Sequence, residues 1–545
     1  MEHYDATIQP HNLSLVDRRR LDGLTAPEAV VLLDKEETRI MRHLLAVRAI
    51  RNTLAPAINR LPEEIMSIIM SIFKEDTIVD DLPSPHWQQI AHVCRWWRAV
   101  ALQTASLWTY LNASNVDVTH AYLTRSGNAP LHISISSFVT TTTVREVVDL
   151  IVPHSRRIVN LDLSWFFFDT PNEMARLISQ PLPILRKLKL VNMFPPGPDV
   201  LYIIPTVHER PSPMQDLELC MAYFPWSSTI FRGLRSLKLS YQYGNDATPP
   251  MDAFLEILNS CPQLETLALA FAGPTLGQVA AYPEPRRRIN LGSIKEMKLS
   301  VMNGVDIAHL LAHIRIPKTA KLQIKCRPED LTGDLSSIFP RDLSGLECLT
   351  SMREAVVICN THLGVHTMDS TGNGQRGGIH VEQETSKEPN PEFTAGDFLV
   401  AIAPILGEIP LSLLTVMIDS ERPYEEDWRD VLTRLPDLAS LAFGYIKQRG
   451  DRYVDEDLLG ALTGDQLSQP VCPGLVNLKV YTSAFDESFN TAVEGCLKSR
   501  VQSGATRLNS LEFTSMRWVG HGQASWPVVE EFVGVFEHSL EEDTH

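Results

Sequence analysis

The sequence predicts a mixed α/β chain in two parts: short apolar helices near the N-terminus, then a long array of alternating helices and strands. Three observations carry this expectation. Between Asn59 and Leu111 the apolar residues cluster at steps of three, four and seven, the spacing of helices with one apolar face. From Ile158 onward a short strand of the form L-x-x-L-x-L recurs, with apolar helical stretches and Pro or Cys-Pro turns between its copies. The chain has 545 residues, too many for one compact core.

Residues 1–27 are polar and without periodicity and are expected to be a flexible tail. From 28 to 58 the pattern changes to a heptad-like helix. Leu33, Ile40, Leu44, Val47, Leu54 and Ile58 alternate at steps of four and three, and Pro56 ends the run. Glu37 and Arg51 interrupt that seam. Two readings follow: a coiled-coil helix that forms a homodimer, or a helix folded back on the next segment. The charged seam positions favour folding back.

Residues 59–111 hold three apolar clusters. The first is Leu61, Ile65, Ile68, Ile69, Ile72 and Phe73. The second is Trp87, Ile90, Ala91, Val93, Cys94 and Trp97, and the third Leu102, Leu107 and Trp108. About fifty residues with this much Ile and Trp cannot cover all of it alone, so another protein is expected to close part of the surface. The second cluster reads as one helix, Pro85–Gln103, burying Trp97 with Val93. Trp96 then points about 100° away round the helix and is open to a core or an interface role.

The order Leu61-Pro62-x-Glu64-Ile65, Ile69, Phe73, Val93-Cys94-Arg95-x-Trp97-Arg98 and Leu107-Trp108 resembles an F-box. F-box domains are three-helix modules that dock on a Skp1-type adaptor, and through it on a cullin, in SCF-type ubiquitin ligases. The resemblance covers roughly a tenth of the chain, and the acidic loop Glu75–His86 is longer than the common pattern. It implies Skp1 binding by Leu61, Pro62, Ile65, Ile69, Val93, Cys94, Trp97, Leu107 and Trp108. Pro62 suits a first helical turn, where its missing N–H is harmless. Fungal F-box-like families are similar in placing a helix directly before the Leu-Pro motif.

Residues 112–535 read as the array. A helix is expected over Val116–Ser126 and a strand over Pro130–Ile135. The paired positions of the repeated strand are Leu161 and Leu163, Leu188 and Leu190, Leu217 and Leu219, Leu237 and Leu239, Leu267 and Leu269, and Met297 and Leu299. Later copies carry Leu441 and Phe443, Leu478 and Val480, and Leu511 and Phe513. Degenerate ones lie at Leu322 and Ile324, around Val357, and over Leu413–Ile418. The first six central positions are separated by 27, 29, 20, 30 and 30 residues, which resembles a leucine-rich repeat with a helix in each unit. Alternation turns the two Leu of each copy inward and the residue between them outward. Asp162, Lys189, Glu218, Lys238 and Lys298 are therefore the expected target-binding face. Helices are expected over Met251–Asn259, Asp306–His313, Phe398–Leu406 and Trp428–Leu435. Ser240, Ala270 and Ser300 stand near the usual Asn position of such repeats, so an irregular solenoid is expected. An ordinary α/β domain with parallel strands is the alternative.

Two segments break the array. Residues 363–392 are rich in Gly, Ser and Glu and are expected to be a disordered insertion; 536–545 read as an acidic tail. Gly372, Gly374, Gly377 and Gly378 match a phosphate-loop spacing, but no helix start follows them. His309 and His313 share a predicted helix and are expected on its solvent edge. No HExxH, zinc spacing or nucleophile elbow is present, so no catalytic residue, metal or cofactor is expected.

The net charge of −17 argues against nucleic acid as the main partner. The basic triplets Arg18–Arg20 and Arg286–Arg288 read as solvated loops. No apolar run approaches the ~20 residues of a membrane span. The eight Cys are scattered and read as reduced, mostly buried thiols, which suits cytoplasm or nucleus. Two functions fit these features. One is a substrate-recruiting adaptor with Skp1 on residues 59–111 and a target protein on the repeats, acting in ubiquitin-dependent degradation. The other is a non-catalytic repeat scaffold whose F-box-like helices only cap the array.

Overall fold

The structure is a computed structural model. It describes residues 20–54, 57–79, 82–83, 85–136, 141–165, 171–193, 214–242, 248–276, 288–326, 338–359, 363–366, 379–383, 394–418, 423–445, 456–463, 470–482, 487–515, 529 and 532–540. The chain divides into two compact units, Met1–Ser134 and Ile135–His545. The glycine-rich loop at 372–378 and residues 541–545 lie outside the described residues.

In the first unit, α1 runs over Ala26–Leu54. The Thr25 amide and hydroxyl donate to a Glu28 carboxylate oxygen at 2.9 and 2.7 Å, closing its first turn. The expected tail is corrected at its end: residues 20–25 belong to the folded unit, because Leu21 is buried and the Leu24 amide turns back to the Leu21 carbonyl. The fold-back reading of α1 is also corrected. No described residue from Val30 to Leu54 is buried, since each face of the helix carries charged or polar side chains among its apolar ones.

A 3-10 turn at Ala57–Arg60 leads into α2, Glu63–Glu75. Pro62 stands one place before the first helical turn, as the N-cap with φ −56 and ψ 152. Glu63 and Glu64 meet the positive end of the helix and Lys74 the negative end. Within the acidic loop β1 (Ile78–Val79) pairs antiparallel with β2 (Leu82–Pro83).

The single helix expected over Pro85–Gln103 is two. Pro85–His92 is 3-10, and α3 covers Arg95–Gln103. The break is at Cys94, extended at φ −157, whose sulfur accepts the Trp97 amide at 3.5 Å and caps α3. A 3-10 turn at Ala105–Trp108 precedes β3 (Tyr110–Asn112), α4 (Val116–Arg125) and β4 (Leu131–Ile135), with β3 and β4 parallel. Asn115 caps α4 by accepting the Val118 amide at 3.1 Å.

The second unit is a run of helices and mostly parallel strands. Its first part is α5 (Thr141–Ile151), β5 (Ile158–Trp165), α6 (Pro171–Ile178), β6 (Lys187–Asn192), β7 (Asp216–Cys220) and β8 (Ser236–Ser240). Next come α7 (Met251–Asn259), β9 (Thr266–Ala270), β10 (Ile289–Asn290), β11 (Glu296–Ser300), α8 (Gly304–Ala312), β12 (Ile314–Arg315) and β13 (Lys321–Cys326). Then follow a short α9 (Glu347–Thr350), β14 (Glu354–Cys359), β15 (Leu363–His366), β16 (Ile379–Gln383), α10 (Ala395–Gly407) and β17 (Leu413–Ile418). The last are α11 (Glu425–Thr433), β18 (Ser440–Tyr445), α12 (Glu456–Leu462), β19 (Asn477–Thr482), α13 (Glu487–Gln502), β20 (Ser510–Ser515) and β21 (Val535–Leu540). A mixed α/β architecture, with helices first and parallel strands with helices behind, is therefore what the chain adopts.

The repeated leucines set the register. Leu161, Leu188, Leu217, Leu237, Leu267, Met297 and Leu322 stand opposite one another along β5, β6, β7, β8, β9, β11 and β13. Each is buried, and so is the residue two places on, because strand alternation puts both on the covered face. Aromatic pairs such as Trp428 on Phe443, with ring centres 5.0 Å apart, fill the space under the later strands.

Two boundaries are corrected. The insertion expected over 363–392 contributes β15 and β16 to the sheet: β16 lies parallel to β13, and β15 pairs antiparallel with both β16 and β14. Leu363–His366 and Ile379–Gln383 each alternate apolar with other residues, which a composition rich in Gly and Ser obscures. The acidic tail begins later than 536, because Val535–Leu540 pairs in parallel with all six residues of β20.

A candidate protein-docking face

Helix α2 has two apolar arcs. Met66, Met70 and Lys74 follow one another at four-residue steps and face inward. Ile65, Ile68, Ile69, Ile72 and Phe73 follow at steps of three, four, seven and eight and form an adjoining stripe. That stripe faces water: Ile68 is 54% and Ile72 53% exposed, Ile65 and Phe73 are also exposed, and Ile69 is half-buried. Pro62 and Val93 are exposed, Val93 at 58%, and Leu61 is half-buried. β-Branched and aromatic side chains left in water along one helix mark a candidate interaction surface.

The inner face explains why the stripe stays outside. Lys74 is buried, and its ammonium donates to the Ser106 carbonyl at 2.7 Å and the Thr109 hydroxyl at 3.3 Å. It also stands 4.5 Å from the centre of the Tyr110 ring. Burial pushes its pKa down to about 8. These bonds pin the end of α2 to the Ala105–Trp108 turn and fix the rotation of the helix.

Two residues expected at the docking face are core instead. Leu107 is fully buried and Trp108 is 5% exposed. The Trp108 indole N–H donates to the Ala101 carbonyl at 2.8 Å, and its ring meets Trp87 and Tyr122 edge-on at 5.2 and 5.0 Å. The Arg125 guanidinium covers the ring at 4.4 Å. Trp108 closes against α4, a helix outside the short segment whose apolar surplus suggested a partner.

Trp97 is half-buried, and Val93 does not accompany it inward. Its indole N–H donates to Asn59 Oδ1 at 2.6 Å, and the Asn59 amide in turn donates to the Asn52 carbonyl in α1. Trp97 thus joins α3 to the entry of α2 and the end of α1. Trp96 is half-buried as well. Of the nine residues expected to bind, the structure leaves Pro62, Ile65 and Val93 exposed and Leu61, Ile69, Cys94 and Trp97 partly covered. Ile68, Ile72 and Phe73 belong to the same surface. Their spacing was visible in the sequence, but it cannot say which of two apolar arcs faces inward.

The expected target-binding row of the second unit comes together in register. Asp162, Lys189, Glu218 and Lys238 stand opposite one another on β5 to β8, and Ala268 separates Lys238 from Lys298. Lys189 lies 3.8 Å from Asp162 and 3.6 Å from Glu218, and Lys238 3.9 Å from Glu218. Lys298 pairs with Glu296 of its own strand at 3.0 Å. The charges alternate and largely cancel along the row.

His309 and His313 are half-buried, not on the solvent edge, with ring centres 4.2 Å apart. Burial and the neighbouring His313 push His309 down to about 4. Among the described residues no group of three His, Cys, Asp or Glu could hold a metal ion, and no helix is long and apolar enough to cross a membrane. Burial raises the thiols of Cys348 and Cys472 to about 12 and of Cys496 to about 11, so these three are protonated at neutral pH.

Residues 58–114 match the family model described as F-box-like. That span is an F-box-like domain. It contains α2, α3, the exposed stripe and the buried Trp108. Among solved structures, the chain is similar to one from the crystal structure of the Rad7 and Elc1 complex in yeast. The two are 11% identical, with 84% of this chain and 94% of that one covered and a TM-score of 0.22. No curated protein matches the chain.

Proposed function

We propose that this chain is a substrate-recruiting adaptor of an SCF-type ubiquitin ligase. The F-box-like domain docks on a Skp1-type adaptor, and through it on a cullin, while the leucine-rich-repeat-like array presents a target protein for ubiquitin transfer. The observation that carries the reading is the coincidence of the F-box-like match with a helix whose isoleucine stripe is left in water. Covering a Val- or Ile-sized side chain fully contributes about 1.5–3 kcal/mol. Several half-exposed ones on α2, with Leu61, Pro62 and Val93 beside them, offset the ordinary cost of association. On this reading the chain performs no covalent chemistry, which belongs to the recruited ligase components. Protonated, unpaired thiols suit a reducing compartment, cytoplasm or nucleus.

Stoichiometric co-purification with a Skp1-type protein tests the proposal. Wild-type chain is expected to retain the adaptor on a sizing column. Ile68→Asp with Ile72→Asp is expected to abolish retention while leaving the far-ultraviolet circular dichroism unchanged. A well-folded wild type that ignores the adaptor would sink the reading.

A further inference from the structure

The stripe on α2 is not the main exposed apolar surface of the first unit. Helix α1 is 29 residues long, about 43 Å at 1.5 Å per residue. Val30, Val31, Leu33, Ile40, Met41, Leu44, Leu45, Val47, Ile50 and Leu54 are all exposed along it. A lone helix in water gains too little from its own hydrogen bonds to justify this much uncovered apolar surface. Something covers it.

The charges on α1 say what. Up to Thr38 it holds Glu28, Asp34, Glu36 and Glu37, with Lys35 the only basic residue. From Arg39 onward it holds Arg39, Arg42, Arg48 and Arg51 and no acid. On the heptad with Leu33, Ile40, Val47 and Leu54 at d, Glu37, Leu44 and Arg51 fall at a, and Asp34 and Arg48 flank the seam at e. A parallel pair of such helices sets Glu37 against Glu37 and Arg51 against Arg51 inside the seam. An antiparallel pair crossing near Ile40 and Leu44 lays the acidic half of each helix on the basic half of the other. Glu37 then comes within a turn of Arg51 across the seam, and Asp34 of one helix faces Arg48 of the other.

We infer that α1 is the dimerisation element of this protein, and that it pairs with α1 of a second copy in antiparallel orientation. The two charged seam positions that weaken a parallel coiled coil specify this one. The geometry has a consequence for the rest of the unit. Each α1 ends at Leu54, a few residues before the F-box-like domain. Antiparallel pairing puts the two Leu54 ends roughly 36 Å apart, about twelve residues of helix either side of the crossing. The two docking faces are therefore held at opposite ends of a rod. The inference is independent of what docks on them.

Sedimentation equilibrium of the full chain tests this. The wild type is expected to weigh twice its 61.1 kDa at micromolar concentration. Asp34→Arg with Glu37→Arg, and separately Arg48→Glu with Arg51→Glu, are each expected to raise the dimer dissociation constant at least about tenfold, as four attractive contacts per dimer become repulsive. The four changes combined restore opposite charges across an antiparallel seam and are expected to return dissociation to within about threefold of wild type. All of these positions are in water, so the variants keep the fold. A monomeric wild type at tens of micromolar overturns the inference, including the case in which α1 associates only once a Skp1-type adaptor is added. Half-swaps that leave dissociation unchanged overturn the orientation, since a parallel pair exchanges one like-charge contact for another.

Discussion

Lys74 shows how one side chain sets the face of a helix. Its ammonium is buried against the Ser106 carbonyl and the Tyr110 ring, and burial lowers its pKa from an ordinary 10.5 to about 8. The folded state therefore holds the proton less tightly than the unfolded one. Below pH 8 both states are charged and the full penalty is present; between about 8 and 10.5 the folded lysine is neutral and the penalty is relieved. Stability contributed by this group is expected to rise with pH across that window, by an amount of order 2 kcal/mol. Chemical denaturation of wild type and Lys74→Met at pH 7 and pH 10 measures it, and wild type should gain stability relative to Lys74→Met at the higher pH. An unchanged difference means that Lys74 titrates as it does in water. Trp108 makes the opposite case. Trp108→Ala is expected to cost about 3–5 kcal/mol, because it empties the contact between Trp87, Tyr122 and Ala101. Ile68→Asp, on the exposed stripe, is expected to change stability by less than about 0.5 kcal/mol. Thermal unfolding separates the two. The resemblance to an F-box put Trp108 among the binding residues, and its apolar cluster could not correct that, because a cluster shows that a residue is covered, not by what. The choice of Met for the inner arc of α2 and Ile for the outer runs against hydrophobicity alone, and only the contact with Lys74 and the Ala105–Trp108 turn decides it.

At the scale of elements, strands were far more legible than helix faces. The period of two in Leu188-Lys189-Leu190 fixes inside and outside together, so the copies from β5 to β11 fell into register at the positions their leucines implied. Helix Met251–Asn259 was likewise readable to its ends, since Pro250 precedes it and Ser260-Cys261-Pro262 follows. What the pattern could not show was pairing between distant segments. Ile379–Gln383 is a strand because β13 and β15 supply its hydrogen bonds, and nothing local in a glycine-rich stretch says so. Register also gives the alternating row of Asp162, Lys189, Glu218 and Lys238 an energetic meaning. Each pair is half-exposed and long, and contributes little, but a reversal in the middle places like charges directly opposite on both sides. Glu218→Lys sets three lysines side by side on β6, β7 and β8 and is expected to destabilise the second unit by about 0.5–1 kcal/mol. Denaturant midpoints in low and high salt check this, and a cost that salt does not reduce would show that lost packing, not charge, is responsible.

The whole molecule combines a small unit with a tightly specified core and a long one built by addition. In the second unit the strands pair mainly with their neighbours along the sheet, and its stability is expected to be close to a sum of nearest-neighbour contributions. Damage should then stay local. Leu478 is buried in β19 between Leu441 of β18 and Leu511 of β20. Leu478→Ala removes most of a buried side chain, at a cost of about 2–5 kcal/mol. Nearest-neighbour additivity confines that loss to the strands around it and to the helices α12 and α13 that cover them. Hydrogen exchange of the full chain, followed by mass spectrometry, should show amides of β18, β19 and β20 exchanging faster. The β5 to β8 ladder and the segment from Leu61 to Leu111 should keep their protection. Uniform loss of protection would mean that the array unfolds as one cooperative body, and a change in a distant repeat would then reach every other repeat of the unit. Local loss would leave the strands of the second unit free to vary in sequence and in surface while the first unit stays folded, which is the division of labour that the proposed adaptor role requires.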